Sequence, residues 1–210
     1  MNYNYNTKYK DRTPEETVAL LQNFFEKRGF EIRIRDVRKS EADTWSCCLK
    51  LYYNNEFIGT SCGKGVTEMF SYASGYAEMY ERFCNKMSFW TSIPFFDKLC
   101  EYNLKNNGYY LFPNEKIMPL NEMVKNSRIC QKVQAAFFND RSFDLENYLH
   151  IPKVDKIIGA PFKGFNCADT KYIDPRIIQY IGSSGMAAGN TIEEAINQGL
   201  SEIFEHYCFD

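Results

Sequence analysis

Several features that would place this 210-residue chain in a common class are absent. No segment approaches the roughly 20 apolar residues that cross a bilayer, and the N-terminus lacks the apolar core of a signal peptide. Charge is nearly balanced, because 25 Lys and Arg residues accompany 27 Asp and Glu residues, for a net charge of −2. We therefore predict a cytoplasmic protein that binds no membrane and, lacking a global basic field, no nucleic acid directly.

Paired metal-binding spacings of cysteine and histidine are missing as well. Eight cysteines occur without any Cys-x-x-Cys step, and the only histidines are His150 and His206. In a reducing compartment the cysteines are most simply small buried hydrophobic residues. A zinc site built from Cys84, His206 and Cys208 stays open as an alternative, although the paired spacing typical of such sites is absent.

The residues that are present suit a packed interior, since 44% are hydrophobic and 16% aromatic. Thr13, Pro14 and Glu16 form the cap, first position and capping box of a helix. After it, alternation predicts a strand over 31–37, and Asn54–Asn55 suits the turn of a hairpin. The further expected elements are strands over 45–53, 56–61, 156–162 and 171–173, helices over 67–89 and from Asn190, and irregular structure over 92–155.

Helices mixed with hairpin strands indicate an α+β fold, with a mixed or antiparallel sheet packed against helices. We expect residues 1–9 to be a flexible N-terminus and residues 10–210 to form one domain.

Two helices place acidic residues on one stripe. At 100° per residue, four polar residues of the helix from Thr67 fall within roughly 100° of one another: Ser74, Glu78, Glu81 and Arg82. An apolar arc lies beside them: Phe70, Ala73, Ala77, Tyr80 and Cys84. The acidic stripe is therefore expected at the margin of the buried face.

The last helix repeats this design. Asn190 and Glu193 suggest a capping-box start. Steps of four, four, four and three residues keep one polar stripe together: Asn190, Glu194, Gln198, Glu202 and Glu205. The opposite face is expected in the core: Ile192, Ile196, Leu200 and Ile203.

Carboxylates one turn apart repel each other, and near a buried margin they become more costly or take up protons. A divalent cation removes this repulsion, and magnesium binds carboxylates together with nucleotide phosphates. Lys64 or Arg82 could then meet phosphate charge. Three alternatives stay open: a solvated acidic face for either pair, a di-iron site using His206, and a plain interaction module. Gly63-Lys64-Gly65 lacks the spacing of a Walker loop.

In combination these segments resemble the YcaO family, over nearly the whole chain from Lys10. The first matching segment runs from Cys62-Gly-Lys-Gly through Ser74 to Glu78-x-x-Glu81-Arg82. The second begins at Ser183-Ser-Gly-Met-Ala-Ala-Gly-Asn and continues through the polar stripe of the last helix. Among subgroups the chain most resembles the stand-alone bacterial type, and not the azoline-forming peptide modifiers.

The resemblance implies ATP and Mg²⁺ as cofactors and ATP-dependent phosphorylation of a backbone amide, leading to cyclodehydration or thioamidation. It implies a nucleotide site lined by the two Glu-bearing helices, and an accessory role in ribosomal protein methylthiolation. The implied metal ligands are Glu78, Glu81, Glu202 and Glu205. The implied nucleotide contacts are Lys10, Thr17, Ser74, Arg82, Asn190, Glu194, Gln198 and His206. No catalytic residue is implied.

Three departures limit what can be transferred. Ser184 stands where the family has Asn, and His206 stands where it has Arg, so phosphate charge would be met less firmly. The family's C-terminal half is expected to be absent. The alternative is therefore a truncated, inactive remnant that acts as a binding or partner module. The expected partners are a protein or peptide substrate, a separate chain supplying the missing half or sulfur, or a second copy of this chain.

Overall fold

The computed structural model describes residues 10–84, 116–119, 156–162, 170–173 and 185–209. The chain divides into two compact units. One comprises Met1–Cys84 with Ser183–Asp210, and the other comprises Asn85–Gly182.

The first unit holds most of the described residues. Its elements are α1 (Pro14–Glu26), β1 (Phe30–Lys39), β2 (Trp45–Tyr53), β3 (Glu56–Gly65), α2 (Glu68–Cys84) and α3 (Ile192–Phe209). The three strands form an antiparallel sheet in the order β1-β2-β3. Helices combined with this sheet confirm the predicted α+β class. The end of the second helix, predicted to reach residue 89, lies outside the described residues.

Local sequence signals fix the start of α1. The Thr13 hydroxyl accepts the Glu16 N–H at 3.2 Å, and the Glu16 carboxylate accepts the Thr13 N–H at 2.9 Å. This reciprocal capping box satisfies two of the N–H groups that a helix start leaves unpaired. Pro14 takes the first helical position, where its missing N–H costs nothing. The predicted start of the helix is confirmed.

The β2–β3 hairpin turns on two asparagines, as predicted. Asn54 and Asn55 both have positive φ, 49° and 63°. A two-residue turn with two positive φ angles matches the twist of the flanking strands, and Asn tolerates that conformation. The register shifts by one residue between Tyr52 and Leu51, and in the shifted register Cys48 faces Cys62.

Aromatic and aliphatic side chains from the sheet and both N-terminal helices form the core. Phe83 of α2 packs edge-on against Phe25 and Phe30, with ring centroids 5.2 and 4.9 Å apart. Leu49 and Leu51 of β2 are fully buried beneath them. Edge-to-face pairs of this kind add about 0.5–1.5 kcal/mol each to the burial of their area. The core fixes α2 on the sheet.

Two glycines let α2 approach β3 closely. A Cβ atom at Gly63 would collide with the Ser71 carbonyl and the Gly75 backbone. A Cβ at Gly65 would come within 2.6 Å of the Ser71 nitrogen. The Gly-Lys-Gly segment is therefore a packing surface for α2, and this close approach brings Lys64 beside the helix that carries Glu78.

The expected core face of α3 is exposed in this structure. Ile192, Leu200 and Ile203 are 75%, 59% and 50% exposed, so that prediction is wrong for these three residues. The helix was predicted to be amphipathic, but its period says nothing about which neighbour covers the apolar face. The cap also differs, because the Thr191 hydroxyl accepts the Glu194 N–H at 3.3 Å and the helix begins at Ile192.

The second unit contributes three described strands: β4 (Lys116–Pro119), β5 (Lys156–Phe162) and β6 (Lys171–Ile173). They pair antiparallel in the order β4-β5-β6. Strands β5 and β6 confirm the prediction, whereas β4 corrects the irregular structure expected there. The remainder of the predicted irregular segment lies outside the described residues. In the described parts of the chain, no helix is long and apolar enough to cross a membrane.

Candidate functional site

A cavity of about 950 Å³ opens within the first unit. It is lined by the segment before α1, by α1 and α2, by the end of β3, and by α3 with the loop that precedes it. Of the twelve site residues inferred from the sequence, ten line this cavity: Lys10, Thr17, Ser74, Glu78, Glu81, Arg82, Asn190, Glu194, Gln198 and Glu202.

The other two lie elsewhere on α3. Glu205 and His206 are exposed and are not among the cavity-lining residues. His206 Nε2 lies 4.0 Å from a carboxylate oxygen of Glu202, so His206 neighbours a cavity-lining residue without lining the cavity itself.

On α2, neighbouring groups partly balance the negative charge of Glu78. Glu78 forms an ion pair with Arg82, four residues on, and also accepts the backbone N–H of Cys62. Arg82 in turn donates to the Thr60 carbonyl at 3.0 Å, which holds the guanidinium between α2 and β3. This arrangement fixes one carboxylate of the pair toward the cavity, with its cation alongside.

The acidic residues of the two helices influence one another across the cavity. Burial, followed by the charges of Glu202 and Glu78, raises the pKa of Glu81 to about 7. Burial also raises the pKa of Glu78, and Glu202 adds to this, although Arg82 opposes it. The pKa of a carboxyl rises when its charged form lacks compensation. At Glu78 and Glu81, burial and the repulsion from neighbouring carboxylates therefore outweigh the opposing charge of Arg82.

The carboxylates of Glu78, Glu81 and Glu202 suit magnesium by their chemistry, but they do not form a complete coordination site. Carboxylate oxygens are the preferred ligands of magnesium, and a bound cation would remove the repulsion that raises these pKa values. Within the described residues, no group of three or more Asp, Glu, His or Cys side chains is already placed to hold a metal ion. Magnesium usually binds through one or two carboxylates plus substrate phosphates and water, so an open set of this kind fits a metal that arrives with a nucleotide.

The N-terminal end of the site is held by Glu194, which is only 9% exposed. Its carboxylate accepts the Asp11 N–H at 2.6 Å and the Asn190 N–H at 3.0 Å, and Lys10 lies 3.9 Å away. Burial opposes ionisation, but these hydrogen bonds and the Lys10 charge together lower the pKa of Glu194. Thr17 adds a second link by donating to the Asn190 side-chain oxygen at 3.1 Å.

The remaining lining includes residues that the sequence interpretation did not assign to the site. Arg12 adds a cation beside Lys10. The sequence feature that could have pointed to it is its position immediately before the cap of α1, close to the inferred site residue Lys10. The supposed core arc on α2 also lines the cavity, through Phe70, Ala73, Ala77 and Tyr80. The buried face of α2 is instead formed by Ser71, Gly75, Tyr76, Met79 and Phe83. The site thus has an apolar wall beside its charged groups.

Taken together, the fold and the site define an α+β protein with an acidic and basic cavity suited to a metal–nucleotide complex. Residues 62–209 match the model of the family described as YcaO cyclodehydratase, ATP- and Mg²⁺-binding. The chain belongs to the YcaO family, whose cofactors are ATP and Mg²⁺.

Two curated relatives match almost the whole chain. The ribosomal protein S12 methylthiotransferase accessory factor YcaO of Escherichia coli is 29% identical over 94% of this chain and 33% of its own length. An uncharacterised Haemophilus influenzae protein is 28% identical over the same shares. The chain thus spans about a third of the length of each relative.

Two solved structures are also similar. YcaO from Methanopyrus kandleri bound with AMPPCP and Mg²⁺ shares 14% identity over 92% of this chain and 42% of its own, with a TM-score of 0.44. A heterocyclase in complex with substrate and cofactor shares 20% identity over 92% of this chain and 27% of its own, with a TM-score of 0.45. The family assignment rests on the sequence match.

Proposed function

We propose that this chain binds Mg²⁺-ATP in the α2–α3 cavity and serves ATP-dependent activation of a backbone amide. The observation that carries the proposal is the convergence of ten inferred site residues, from three separate parts of the sequence, on one cavity. Spacing along each helix could not bring these parts together. Their convergence is what a working nucleotide site requires.

The acidic, basic and apolar residues of the cavity suit different parts of a metal–nucleotide complex. Glu78, Glu81 and Glu202 would hold the cation, whose charge offsets theirs. Lys10, Arg12, Lys64 and Arg82 offer positive charge to phosphate oxygens, and Arg can do so through two parallel hydrogen bonds. An apolar part of the ligand, such as the flat base of a nucleotide, suits the further apolar residues of the lining: Leu20, Phe24, Val66, Phe70 and Met186.

When bound, Mg²⁺-ATP would supply the phosphoryl group for the amide oxygen. The residues of this chain would bind and orient it, with Glu194 and Thr17 holding the segment before α1 against α3. The substrate proposed is a protein or peptide, by analogy with the family. The name of the Escherichia coli relative supports a role as an accessory factor in ribosomal protein methylthiolation.

A second candidate is a binding or partner module without turnover. The exposed apolar residues of α3 favour it: Ile192, Leu200, Ile203, Phe204 and Tyr207. Because the relatives are about three times as long as the matched region, further polypeptide of the family fold could pack there. In that case completion of the site, or delivery of sulfur, depends on other polypeptide, and this chain contributes only the binding of its ligand or partner.

Thermal unfolding with and without Mg²⁺-ATP tests the binding proposal. At 100 times the Kd, bound nucleotide should stabilise the folded state by about 2.7 kcal/mol. We expect this protection to disappear without Mg²⁺ and in Glu78→Ala and Glu202→Ala. Glu193→Ala is the matched control, since Glu193 is exposed in the first turn of α3 and does not line the cavity.

Two further results bear on the proposal. Protection that survives both cavity substitutions and needs no Mg²⁺ would contradict it. Loss of protection in Glu205→Ala would show that the fourth inferred ligand joins the site on binding, although it lies outside the cavity in this structure. Release of phosphate by the same chain with a candidate peptide would separate the enzyme from the binding module.

A further inference from the structure

Not all the cysteines are small buried residues as expected. Cys47 is buried, and its thiol donates to the Ser71 carbonyl at 3.1 Å, but Cys62 and Cys208 are exposed. Cys48 and Cys62 are direct partners across β2 and β3, and their sulfur atoms lie 3.6 Å apart. No assigned role accounts for this pair, because neither thiol lines the cavity.

The direct pairing of Cys48 with Cys62 suits the backbone separation that a disulfide spans. Residues directly opposite each other in an antiparallel pair have Cα atoms about 4.5–5.5 Å apart. Disulfides span Cα separations of about 4.4–6.8 Å. Bonding would require the two sulfur atoms to approach from 3.6 Å to about 2.05 Å.

The surroundings leave the pair accessible. Cys62 is exposed and Cys48 is half-buried, and the Thr60 hydroxyl is 3.4 Å from the Cys48 sulfur. Although Cys62 is exposed, partial desolvation of its thiol and the hydrogen bond with Cys48 raise its pKa to about 11, so that it is protonated at neutral pH. Since the thiolate is the attacking species, exchange at this pair is slow and needs long equilibration.

We propose that Cys48 and Cys62 form a modification site, a cross-strand thiol pair that a small-molecule disulfide such as oxidised glutathione converts reversibly into an intramolecular disulfide. The Cys62 thiolate attacks one sulfur of oxidised glutathione, giving a mixed disulfide and one glutathione thiolate. The Cys48 thiolate then attacks the Cys62 sulfur and releases the second glutathione. Two protein thiols lose two protons and two electrons, and one oxidised glutathione becomes two reduced molecules.

The proposal is independent of nucleotide binding. It concerns two side chains that do not line the cavity, and it would stand if the cavity bound nothing. Cys208 offers a comparison within the same chain, because it is an exposed cysteine on α3.

The full chain, equilibrated in reduced and oxidised glutathione at a series of ratios, provides the test. After acid quenching, the disulfide form should be about 2 Da lighter than the reduced chain, because two hydrogens are lost, and subsequent alkylation should add two fewer alkyl groups to it. A non-reduced peptide map should show Cys48 joined to Cys62, and dithiothreitol should reverse both changes. Because the crosslink removes conformational entropy from the unfolded chain, the melting temperature should rise by several degrees on oxidation.

Variants identify the order of events. Cys48→Ser should retain glutathione on Cys62, since no second thiol displaces it, and Cys62→Ser should give no joined peptide. Cys208→Ser should form the Cys48–Cys62 link as the wild type does. The proposal is overturned if no joined peptide appears at glutathione ratios that already modify Cys208, or if Cys62 pairs with another cysteine. The wild-type measurement decides this even if a variant fails to fold.

Discussion

The Glu194 carboxylate accepts the backbone N–H of Asp11 at 2.6 Å, although 183 residues separate the two along the chain. The contact joins the segment before α1 to the first turn of α3. It also places Lys10 at the edge of the cavity, 3.9 Å from the same carboxylate. One buried acid therefore assembles the N-terminal wall of the site.

Replacing that acid should weaken the fold in a pH-dependent way. The pKa of Glu194 is lowered in the folded state, so its contribution is present above the ordinary carboxyl pKa and is lost as pH falls through the folded value. We expect Glu194→Gln to cost about 1–2 kcal/mol at pH 7. Urea unfolding of wild type and variant at pH 7 and pH 3 should show the difference shrinking on acidification. Glu193→Gln should change little, and a gap that persists undiminished at pH 3 would contradict the assignment.

Glu81 should make magnesium binding depend on pH near neutrality. The pKa of Glu81 is about 7 in the folded state, above the ordinary carboxyl value, so the metal-free fold favours the protonated form. The stabilising effect of that proton is lost as pH rises through about 7. Because Mg²⁺ competes with that proton, apparent affinity should rise between pH 6 and 8, by up to about tenfold per unit below the pKa. Magnesium titrations with saturating ATP measure this. Comparison with Glu81→Gln at each pH removes the contribution of ATP protonation, and equal pH profiles would exclude the role of Glu81.

Metal-free Glu81→Gln should also be more stable than wild type at pH 8, since each pKa unit corresponds to about 1.4 kcal/mol. The difference should vanish at pH 4, where both chains are uncharged at this position. Denaturant melts without magnesium check this, and a variant that is less stable at pH 8 would show that the carboxylate is compensated by an interaction in the folded state.

Gly63→Ala should damage the packing of α2 on β3. The added Cβ meets the backbone of Ser71 and Gly75, and backbone atoms cannot move aside as a flexible side chain can. We expect a loss of about 3 kcal/mol or more, at the upper end for overpacking. Equilibrium unfolding measures it. The neighbouring Lys64→Ala, at an exposed position of the same strand, should stay within about 0.5 kcal/mol of wild type. Equal effects for the two variants would refute the close approach.

The start of α1 offers a separable test of a local signal. Thr13→Ala removes the hydroxyl that accepts the Glu16 N–H and should cost about 1 kcal/mol. Thr13→Ser retains the hydroxyl and should remain close to wild type. Thermal unfolding of the three proteins distinguishes them, and a Thr13→Ala protein as stable as the Thr13→Ser protein would show that the cap contributes nothing.

Local chemistry explains which parts of the fold were predictable. The capping box at Thr13 and the Asn54–Asn55 turn depend on residues within a few positions of each other, so the sequence indicates them directly. Strand β4 was missed, because a four-residue strand flanked by turn residues carries little periodic signal. The expectation of one domain over residues 10–210 stays a prediction, and the chain forms two compact units.

The site was predictable as residue sets but not as an arrangement. Helical spacing grouped Glu78 with Glu81 and Asn190 with Glu194, yet it could not show that the two helices share a cavity. It also assigned the wrong surroundings. The arc of Phe70 and Tyr80 lines the cavity, and the α3 residues Ile192 and Leu200 are exposed. Periodicity identifies the faces of a helix and leaves their neighbours undetermined.

By itself, the sequence determined the two Glu-bearing helices, the hairpin and the family, because these depend on local propensity and on spacing along the chain. Only the tertiary structure decided that Asp11 meets Glu194, that Cys48 faces Cys62, and that Glu205 lies outside the cavity. Such contacts depend on how elements distant in sequence pack. The raised pKa of Glu81 has the same origin, since it requires burial together with a charge on a helix more than a hundred residues away.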